Sequence, residues 1–304
     1  MPLSCFFISR LYLQSHLEKV IKNLLIIGCG KLGQRIGNNL SELPIEITGI
    51  KRKLPNTPAS FKIITLNIFS DKFLDNIKSI NPDYLIYCVS SDEQTEESYQ
   101  KNYVEGLKIT VKALNQLNDF QHLIFISSTR VYGQISNSFL SESTPPKPND
   151  FGGKILLEAE RSLNKLSFKK TVLRLSGIYG DNRQHLLRVA SDLTKWPLND
   201  RWTNRIHEDD VTSFIIFLFT QIISNKKIED LYLLTDSQPV SLYEVLKWIR
   251  LELKLSLDNL PIPNGISGKK LKSDILPRLK FSFKHSDYKS GYHQMIASLN
   301  KTNG

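Results

Sequence analysis

The sequence predicts an α/β protein built on a doubly wound parallel sheet. Apolar runs of four to six residues alternate with longer amphipathic segments along most of the chain. The runs lack the apolar–polar alternation of a strand with one exposed face, which is typical of strands buried on both faces. Regular alternation of such strands with helices indicates a parallel sheet that has helices on both sides.

Each predicted element rests on a local pattern. Leu32, Ile36 and Leu40 fall on one face of the first helix. The fourth strand follows a turn sequence, Asn-Pro-Asp, at 81–83. The predicted strands are 23–28, 45–50, 62–66, 84–89, 122–127 and 171–175. The predicted helices are 31–40, 98–117, 153–166, 211–223 and 241–255.

The composition is that of a globular protein and excludes several other classes. Of 304 residues, 40% are hydrophobic and 23% are charged, which excludes a collagen-like fibre and a fully disordered chain. No apolar run reaches the ~18 residues that span a bilayer, so we expect no membrane partner. The net charge is +10, and residues 265–304 hold eight basic and two acidic residues. We interpret this excess as a solvated lysine-rich surface rather than a nucleic-acid site, because no groove-reading motif accompanies it.

Cysteines and histidines give no sign of a disulfide framework or a metal site. Cys5, Cys29 and Cys88 are an odd, widely spaced set, which indicates a reducing, cytoplasmic compartment. The six histidines are also scattered, so we predict no bound metal. Residues 1–22 precede the first strand and form a predicted N-terminal extension to which we assign no role.

The first strand leads into a turn that carries the first chemical motif. Gly28, Gly30 and Gly33 match the pattern G-x-G-x-x-G between a strand and a helix. The first glycine makes the tight turn, the second lets a pyrophosphate approach the backbone, and the third allows close helix–strand packing. Lys31 and Leu32 begin the helix whose N-terminus faces the phosphates. We predict a nicotinamide dinucleotide at this turn.

The end of the second strand indicates which dinucleotide binds. NAD-binding proteins usually have an acid here that holds the ribose 2′-hydroxyl, but this chain has Lys51, Arg52 and Lys53. Arg52 or Lys51 can hold a 2′-phosphate, unless these are solvated loop cations. We therefore predict NADP, with NAD as the alternative. Further predicted cofactor contacts follow the third and fourth strands: Asn67, Ile68, Val89 and Ser90.

Ordered motifs beyond the glycine turn give the chain a family resemblance. They are 126–133 (ISSTRVYG), 154–158 (KILLE), 173–180 (LRLSGIYG) and 204–211 (NRIHEDDV). Together they resemble the extended short-chain dehydrogenase/reductases, the NAD(P)-dependent epimerase/dehydratase group that acts mainly on nucleotide sugars.

The resemblance runs from about residue 23 to residue 296 and implies a domain organisation. A Rossmann domain occupies 23–180. A mixed segment, 181–304, then completes the sheet and forms a small C-terminal substrate lobe.

The resemblance also implies a catalytic set: a serine, a Tyr-x-x-x-Lys pair and often an asparagine. Ser128 and Lys154 stand at the serine and lysine positions, and Lys154 also belongs to the cofactor site. The tyrosine position holds Asp150 and the asparagine position holds Tyr103. A tyrosine beside a lysine exchanges a proton near neutral pH, whereas a carboxylate is shorter and normally ionised. We expect the Asp150 carboxylate to pair with Lys154, which would hold it as an anion.

Three interpretations of this departure stay open. Asp150 is the acid/base, or another hydroxyl such as that of Tyr103 or Tyr132 takes the role. In either case the protein is an NADP-dependent oxidoreductase or epimerase acting on a nucleotide sugar or a similar phosphorylated substrate. In the third interpretation it binds NADP without hydride chemistry, as a sensor or regulatory protein.

Three residues in the later motifs are candidate substrate contacts. The resemblance implies that Arg205 faces the phosphates of the substrate. Arg174 ends the sixth strand near the expected nicotinamide, or it pairs with an acid; Tyr179 follows in the same motif. We interpret His207 as a hydrogen-bonded structural histidine, and Asp209 or the next residue as a helix N-cap. A homodimer is left open.

Overall fold

A computed structural model of the chain describes residues 22–53, 57–136, 138–181, 183–236 and 238–302. The predicted extension 1–22 lies outside these ranges except for its last residue, which begins the first strand. The strands are β1 (Lys22–Ile27), β2 (Ile45–Lys51), β3 (Lys62–Thr65), β4 (Tyr84–Tyr87), β5 (His122–Ser128), β6 (Phe139–Leu140), β7 (Lys169–Leu175), β8 (Gly177–Tyr179), β9 (Asp200–Thr203), β10 (Arg205–His207), β11 (Leu231–Leu234), β12 (Val240–Ser241), β13 (Ile266–Gly268) and β14 (Lys270–Leu271).

Helices alternate with the strands of the main sheet. They are α1 (Lys31–Leu40), α2 (Phe73–Ile80), α3 (Glu96–Tyr99), α4 (Gly106–Leu114), α5 (Phe151–Ser162), α6 (His185–Ser191), α7 (Glu208–Ile223), α8 (Leu242–Glu252) and α9 (Tyr288–Thr302). A π-helix, Gln100–Glu105, joins α3 to α4. In the described part of the chain, seven strands form one sheet with the order β11-β7-β5-β4-β1-β2-β3. This confirms the predicted α/β fold with a doubly wound parallel sheet.

The chain divides into two compact units. Of the residues that the structure describes, unit 1 contains those up to Ser90, together with 106–123 and 167–169. Unit 2 contains the described residues of 91–105 and 124–166 and those from Lys170 onward. The boundaries drawn from the sequence at 22/23 and 180/181 stay predictions.

Unit 1 is built around β1, whose last four residues are all apolar. β1 pairs in parallel with β2 on one side and with β4 on the other, so Leu24 lies opposite both Ile47 and Tyr84. Its last four residues are at most 1% exposed, as expected for a strand that helices cover on both faces. Ile36 and Leu40 of α1 are fully buried, which explains the predicted helical stripe.

Unit 2 has its own apolar core around α8. Val245, Leu246 and Ile249 of that helix are fully buried and pack with Tyr292 and other residues of α9. The long helix α7 is apolar on most of its surface and largely buried, which explains the apolar run in the sequence. No helix in the described ranges is long and apolar enough to cross a membrane.

Two predicted helices differ from the observed ones. The helix expected over 98–117 is interrupted by the π-helix, a wider turn that is often found at functional sites. The helix expected from Val211 begins at Glu208, and its N-cap is His207, whose ring accepts the Asp209 N–H. The expectation that Asp209 or its neighbour caps this helix was wrong, because an imidazole nitrogen fills the acceptor position. The sequence analysis missed the helices α2, α6 and α9, the strand β6, and the strands from β8 to β14.

Candidate functional site

The predicted dinucleotide turn in unit 1 has the geometry that its glycines require. Gly28 has a φ of +96°, and a Cβ there would lie 2.5 Å from the Cys88 carbonyl. A Cβ on Gly33 would lie 2.4 Å from the Gly28 oxygen. Both positions therefore need glycine for the fold itself, because the clashing atoms are backbone.

Gly30 differs from these two glycines. Its backbone is extended, with a φ of −71°, and it is the N-cap of α1. A Cβ at Gly30 would meet nothing within 4 Å. The space that a side chain would fill is therefore open in front of a helix N-terminus, where N–H groups and the helix dipole favour an anion. This cradle fits a pyrophosphate.

The ends of β2 and β3 reach the same turn. The N–H groups of Gly28 and Cys29 donate to the Ile50 oxygen at 3.1 and 3.3 Å. The Leu66 N–H donates to the Lys51 oxygen at 3.0 Å. The cations that follow Ile50 and the residues that follow Leu66 therefore begin beside the turn. The other predicted cofactor residues of unit 1 differ in exposure. Four side chains are exposed: Lys31, Arg52, Asn67 and Ser90. Four are half-buried: Leu32, Lys51, Ile68 and Val89.

In unit 2, the turn after Ser128 holds an arginine that is bound to position 150. The Arg130 Nε donates to both oxygens of Asp150, at 2.9 and 3.1 Å. Its Nη1 donates to the Tyr99 hydroxyl at 2.7 Å. The guanidinium also lies 5.1 Å from the ring centres of Tyr99 and Phe151. The side chain of Arg130 is thus fixed on several sides.

Asp150 is the N-cap of α5. Its Oδ1 accepts the Gly153 N–H at 2.7 Å. Burial by itself raises the pKa of the Asp150 carboxyl, but the Gly153 N–H and the Arg130 guanidinium outweigh it and hold the pKa below its usual value. Asp150 is therefore an anion at neutral pH with its lone pairs in use. Lys154 is exposed on the first turn of α5, and the half-buried Ser128 hydroxyl accepts the Arg130 N–H at 3.2 Å.

Tyr132 and Arg174 belong to a buried polar network. The Tyr132 side chain is fully buried. Its hydroxyl donates to the Ser141 oxygen at 2.8 Å and accepts from Arg174 Nη1 at 2.6 Å. Arg174 also forms an ion pair of 2.6 Å with Glu160. Burial raises the pKa of Tyr132 in spite of the neighbouring Arg174, so this hydroxyl keeps its proton. The sequence left two roles open for Arg174, and the structure shows the second, in which Arg174 pairs with an acid.

Tyr103 has different surroundings. It lies half-buried within the π-helix, and its ring centre is 5.2 Å from that of Tyr99. The adjacent Asn102 is buried, and its amide donates to the Ser98 oxygen at 2.8 Å.

Lys269, which the sequence analysis included in the solvated lysine-rich surface of 265–304, is instead a half-buried neighbour of this region. Its Nζ donates to the oxygens of Thr129, at 2.8 Å, and of Tyr132. Burial lowers the pKa of Lys269 to about 8, with Asp150 opposing the shift. No spacing in the sequence could reveal this contact, because Lys269 lies 140 residues after Thr129.

An arginine-rich cavity of about 690 Å³ lies within unit 2. Arg183, Arg188, Arg201 and Arg205 line it, with Asp181 as its acidic residue. Tyr179 and Arg205, two of the predicted substrate residues, are therefore brought together here, whereas Arg174 does not line the cavity. The sequence analysis missed the other three arginines because they follow no motif.

Arg205 is the most buried of these arginines, at 4% exposure. Its Nη2 donates to the Thr203 hydroxyl at 2.7 Å. Its Nη1 is buried and has no hydrogen-bond partner among the residues that the structure describes. A buried guanidinium nitrogen without a partner is costly, which marks Arg205 as a candidate anion-binding residue.

Comparison with known proteins supports this reading of the motifs. A family model described as the RmlD substrate binding domain matches residues 22–266. The chain belongs to this family. The match confirms the resemblance to NAD(P)-dependent epimerase/dehydratases. Curated proteins include no significant match to the chain.

Solved structures extend the likeness of this RmlD-family chain. A Methylobacillus flagellatus protein, provisionally described as an NAD-dependent epimerase/dehydratase, is 36% identical over 92% of this chain and 100% of its own, with a TM-score of 0.83. MoeE5, solved with UDP-glucose and NAD, is 17% identical over 93% and 100% of the two chains, with a TM-score of 0.72. Bacillus cereus UDP-glucuronic acid 4-epimerase, solved with NAD, is 18% identical over 91% and 99%, with a TM-score of 0.68. The last two show a shared fold.

The surroundings of Asp150 predict a stability effect that depends on pH. Asp150→Ala removes the cap and the Arg130 partner, so we expect the free energy of unfolding to fall by about 1–2 kcal/mol at pH 7. Asp150→Asn keeps a capping oxygen and should cost less. Because the folded pKa is depressed, the contribution of Asp150 is present above the unfolded pKa of about 3.9 and is lost as pH falls through the lower folded value. Urea unfolding at pH 7 and at low pH measures both effects.

Asp230→Asn is the control, because Asp230 makes an exposed pair with Lys170 at 3.6 Å, and such pairs contribute little. An Asp150→Ala variant as stable as the wild type at pH 7 would refute the anchoring role.

The open space at Gly30 predicts that this glycine serves the ligand and not the fold. Gly30→Val should unfold at nearly the wild-type temperature but lose NADPH binding, because the side chain fills the phosphate cradle. Gly33→Ala is the contrasting variant and should lose stability through its clash with the Gly28 oxygen. Calorimetric titration and thermal unfolding separate the two. Unchanged NADPH affinity in the folded Gly30→Val variant would show that the cradle is misassigned.

Proposed function

We propose that this RmlD-family protein binds NADP(H) and a nucleotide sugar or a similar phosphorylated small molecule. The buried Arg205 nitrogen without a partner at the arginine-lined cavity of unit 2 carries this proposal. The related structures add support, since MoeE5 was solved with UDP-glucose and NAD. The class of reaction is that of the epimerases and oxidoreductases. The cytoplasmic location and a homodimer stay predictions from the sequence.

The arginine-lined cavity suits a ligand that carries a diphosphate. Guanidinium groups present donors in a planar fork that matches phosphate oxygens. Four arginines against one aspartate give the cavity an excess of positive charge. Burial strengthens a hydrogen bond from Arg205 to an anion because the local dielectric is low, whereas the other three arginines are exposed. Tyr179 adds an aromatic wall, stacked on Tyr292 at 4.7 Å, and we assign it and Arg205 to the substrate site.

The cofactor half of the proposal rests on unit 1. The cradle at Gly30 takes the pyrophosphate, and Lys51 and Arg52 follow the Ile50 carbonyl that binds the turn. Related structures that name a cofactor name NAD. We nevertheless propose NADP, because cations stand where an NAD site places an acid.

Among the three candidates that the sequence offers for the proton-transfer role, we assign this role to Tyr103. Asp150 is an ionised cap, and the Tyr132 hydroxyl is fully buried in two hydrogen bonds. Tyr103 is half-buried on the π-helix. Ser128 and Lys154 keep the roles that the family assigns to them, in orienting the reacting oxygen and the cofactor ribose.

The same observations favour a second candidate function. With position 150 held as an anion by Arg130, the usual proton carrier is absent. General acid–base assistance contributes about 10²–10⁴ in rate. A protein that keeps both binding sites but lacks this assistance would act as an NADP-binding sensor or regulatory protein.

The cations after β2 predict the cofactor preference. We expect NADP(H) to bind at least about 10-fold more tightly than NAD(H), or about 1.4 kcal/mol. Arg52→Ala should remove most of this difference, because the 2′-phosphate loses its charged partner. Lys62→Ala, an exposed cation on β3 of the same unit, is the control and should leave the preference intact. Titrations that give equal affinities for the two dinucleotides contradict the assignment.

The buried guanidinium predicts the substrate class. UDP-glucose should bind the wild type, and Arg205→Met should weaken binding by about 10- to 100-fold, the value of a hydrogen bond to a charged group. Uridine, which lacks the diphosphate, should bind weakly to both proteins. Arg161→Met changes an exposed arginine of α5 outside the cavity and should bind like the wild type. Equal binding of UDP-glucose by wild type and Arg205→Met would rule out this site.

Turnover then separates the two candidate functions. For sugar nucleotides that bind, oxidation or reduction of bound cofactor is followed in a single turnover. Turnover that Tyr103→Phe abolishes, with UDP-glucose affinity unchanged, identifies an enzyme with a relocated proton carrier. Tight binding of both ligands without any change in the cofactor favours the sensor.

A further inference from the structure

Three side chains that are distant in the sequence meet at the N-terminus of α7 in unit 2. His207 caps this helix, Asp209 lies in its first turn, and His285 precedes α9. One ligand atom from each residue lies within 4.8 Å of the other two. Neither the cofactor site nor the sugar-nucleotide site proposed above uses this cluster.

The two histidines are buried, and the carboxylate reaches both. His207 is 1% exposed, His285 is 4% exposed, and their ring centres are 4.0 Å apart. Asp209 Oδ2 lies 3.7 Å from His207 Nδ1 and 3.7 Å from His285 Nε2. In a tetrahedral zinc site the ligand atoms are about 3.3 Å apart, given metal–ligand bonds of about 2.0–2.1 Å. The carboxylate and each histidine therefore need to approach by only a few tenths of an ångström, and the two imidazole nitrogens start within 4.8 Å of each other.

The backbone that carries His285 is held in place by the neighbouring acid. The two oxygens of Asp210 accept the N–H groups of Lys284, at 2.6 Å, and His285, at 3.0 Å. This contact fixes the segment before α9 against α7 and orients His285 toward Asp209. A prepositioned ligand set of this kind reduces the ordering cost of binding an ion.

A cation already lies against the carboxylate. Lys284 Nζ is 3.2 Å from Asp209 Oδ2, and the Lys284 side chain is 61% exposed. It can therefore turn into solvent when another cation takes its place. His207 Nδ1 accepts the Asp209 N–H at 3.2 Å. Coordination at Nδ1 replaces this long hydrogen bond.

We propose that His207, Asp209 and His285 form a binding site for a divalent transition-metal ion, with Zn²⁺ as the best match. Two imidazoles and a carboxylate are ligands that zinc accepts in a tetrahedral set whose fourth position is taken by water. The ion joins the segment before α9 to the first turn of α7. It adds a cross-link between two parts of unit 2 that are 76 residues apart in the sequence, from Asp209 to His285.

The test is a Zn²⁺ titration of the full-length protein after treatment with a chelator. We expect one equivalent per chain with a Kd of about 1 µM or tighter, and a higher unfolding temperature in the presence of Zn²⁺. Co²⁺ should give the visible absorption of a tetrahedral site. A wild-type protein that binds no equivalent of Zn²⁺ in this range, or whose unfolding temperature does not rise, overturns the proposal.

Variants identify the ligands. His285→Gln and Asp209→Asn should each weaken Zn²⁺ binding by at least about 100-fold, the upper effect of losing even an outer partner. Lys284→Met should strengthen it several-fold, because a competing cation is gone. The control is His293→Gln, since His293 is 72% exposed and pairs with Glu252 at 3.2 Å; its affinity should equal that of the wild type.

Each result has a meaning even if one variant does not fold. If circular dichroism shows that His285→Gln is unfolded, the Zn²⁺ titrations of Asp209→Asn and of the wild type decide whether the site exists. Binding that His293→Gln abolishes, or that Asp209→Asn leaves unchanged, places the ion elsewhere and refutes the site. Weaker Zn²⁺ binding in Lys284→Met also contradicts the proposed site, because the loss of a competing cation should strengthen binding there.

Discussion

The ion pair between Arg174 and Glu160 is the interaction on which the packing of α5 between β5 and β7 in unit 2 depends. Both side chains are almost completely buried, at 6% and 7% exposure, and they are 2.6 Å apart. Glu160 also accepts the Ser127 hydroxyl at 2.5 Å, and Arg174 also donates to Tyr132. One network therefore joins β5, α5 and β7. Removing one member of a buried pair typically costs about 3–5 kcal/mol, because the other charge stays buried without a partner.

This network decides where the family's functional positions lie. Ser128 follows Ser127 directly, and Lys154 lies six residues before Glu160 on α5. Two contacts therefore set the orientation of α5 relative to β5. Glu160 makes one of them within the helix, and Asp150 makes the other at the helix N-terminus. The Asp150–Arg130 pair holds the start of the helix to the turn after Ser128. A tyrosine at position 150 has no oxygen close enough to its own backbone to cap the helix. The aspartate at position 150 therefore gives α5 a fixed N-terminus.

Much of the fold could be predicted from the sequence, because the signals are local. Helix α1 begins and ends at the predicted residues, since a glycine turn precedes it and an apolar stripe runs along it. The interruption of the helix after Ser98 could not be predicted, since a π-turn needs no special residue. The pairing of Asp150 with Arg130 could not be predicted either, because the sequence suggested Lys154 as the partner of Asp150. Side chains one helical turn apart can meet. In the structure, however, Lys154 is exposed, and Arg130 reaches Asp150 from the segment that follows β5.

The parts of the site that escaped sequence reasoning are those assembled from distant segments. Arg183, Arg188 and Arg201 carry no motif, yet they line one cavity with Arg205. Near this cavity, burial raises the pKa of Asp236 to about 7, with Arg205 opposing the shift. The aspartate is therefore only partly ionised at neutral pH and neutralises Arg205 incompletely. An anion bound at Arg205 would raise the pKa of Asp236 further, because like charges disfavour ionisation. Binding of the proposed anion would then draw a proton to Asp236.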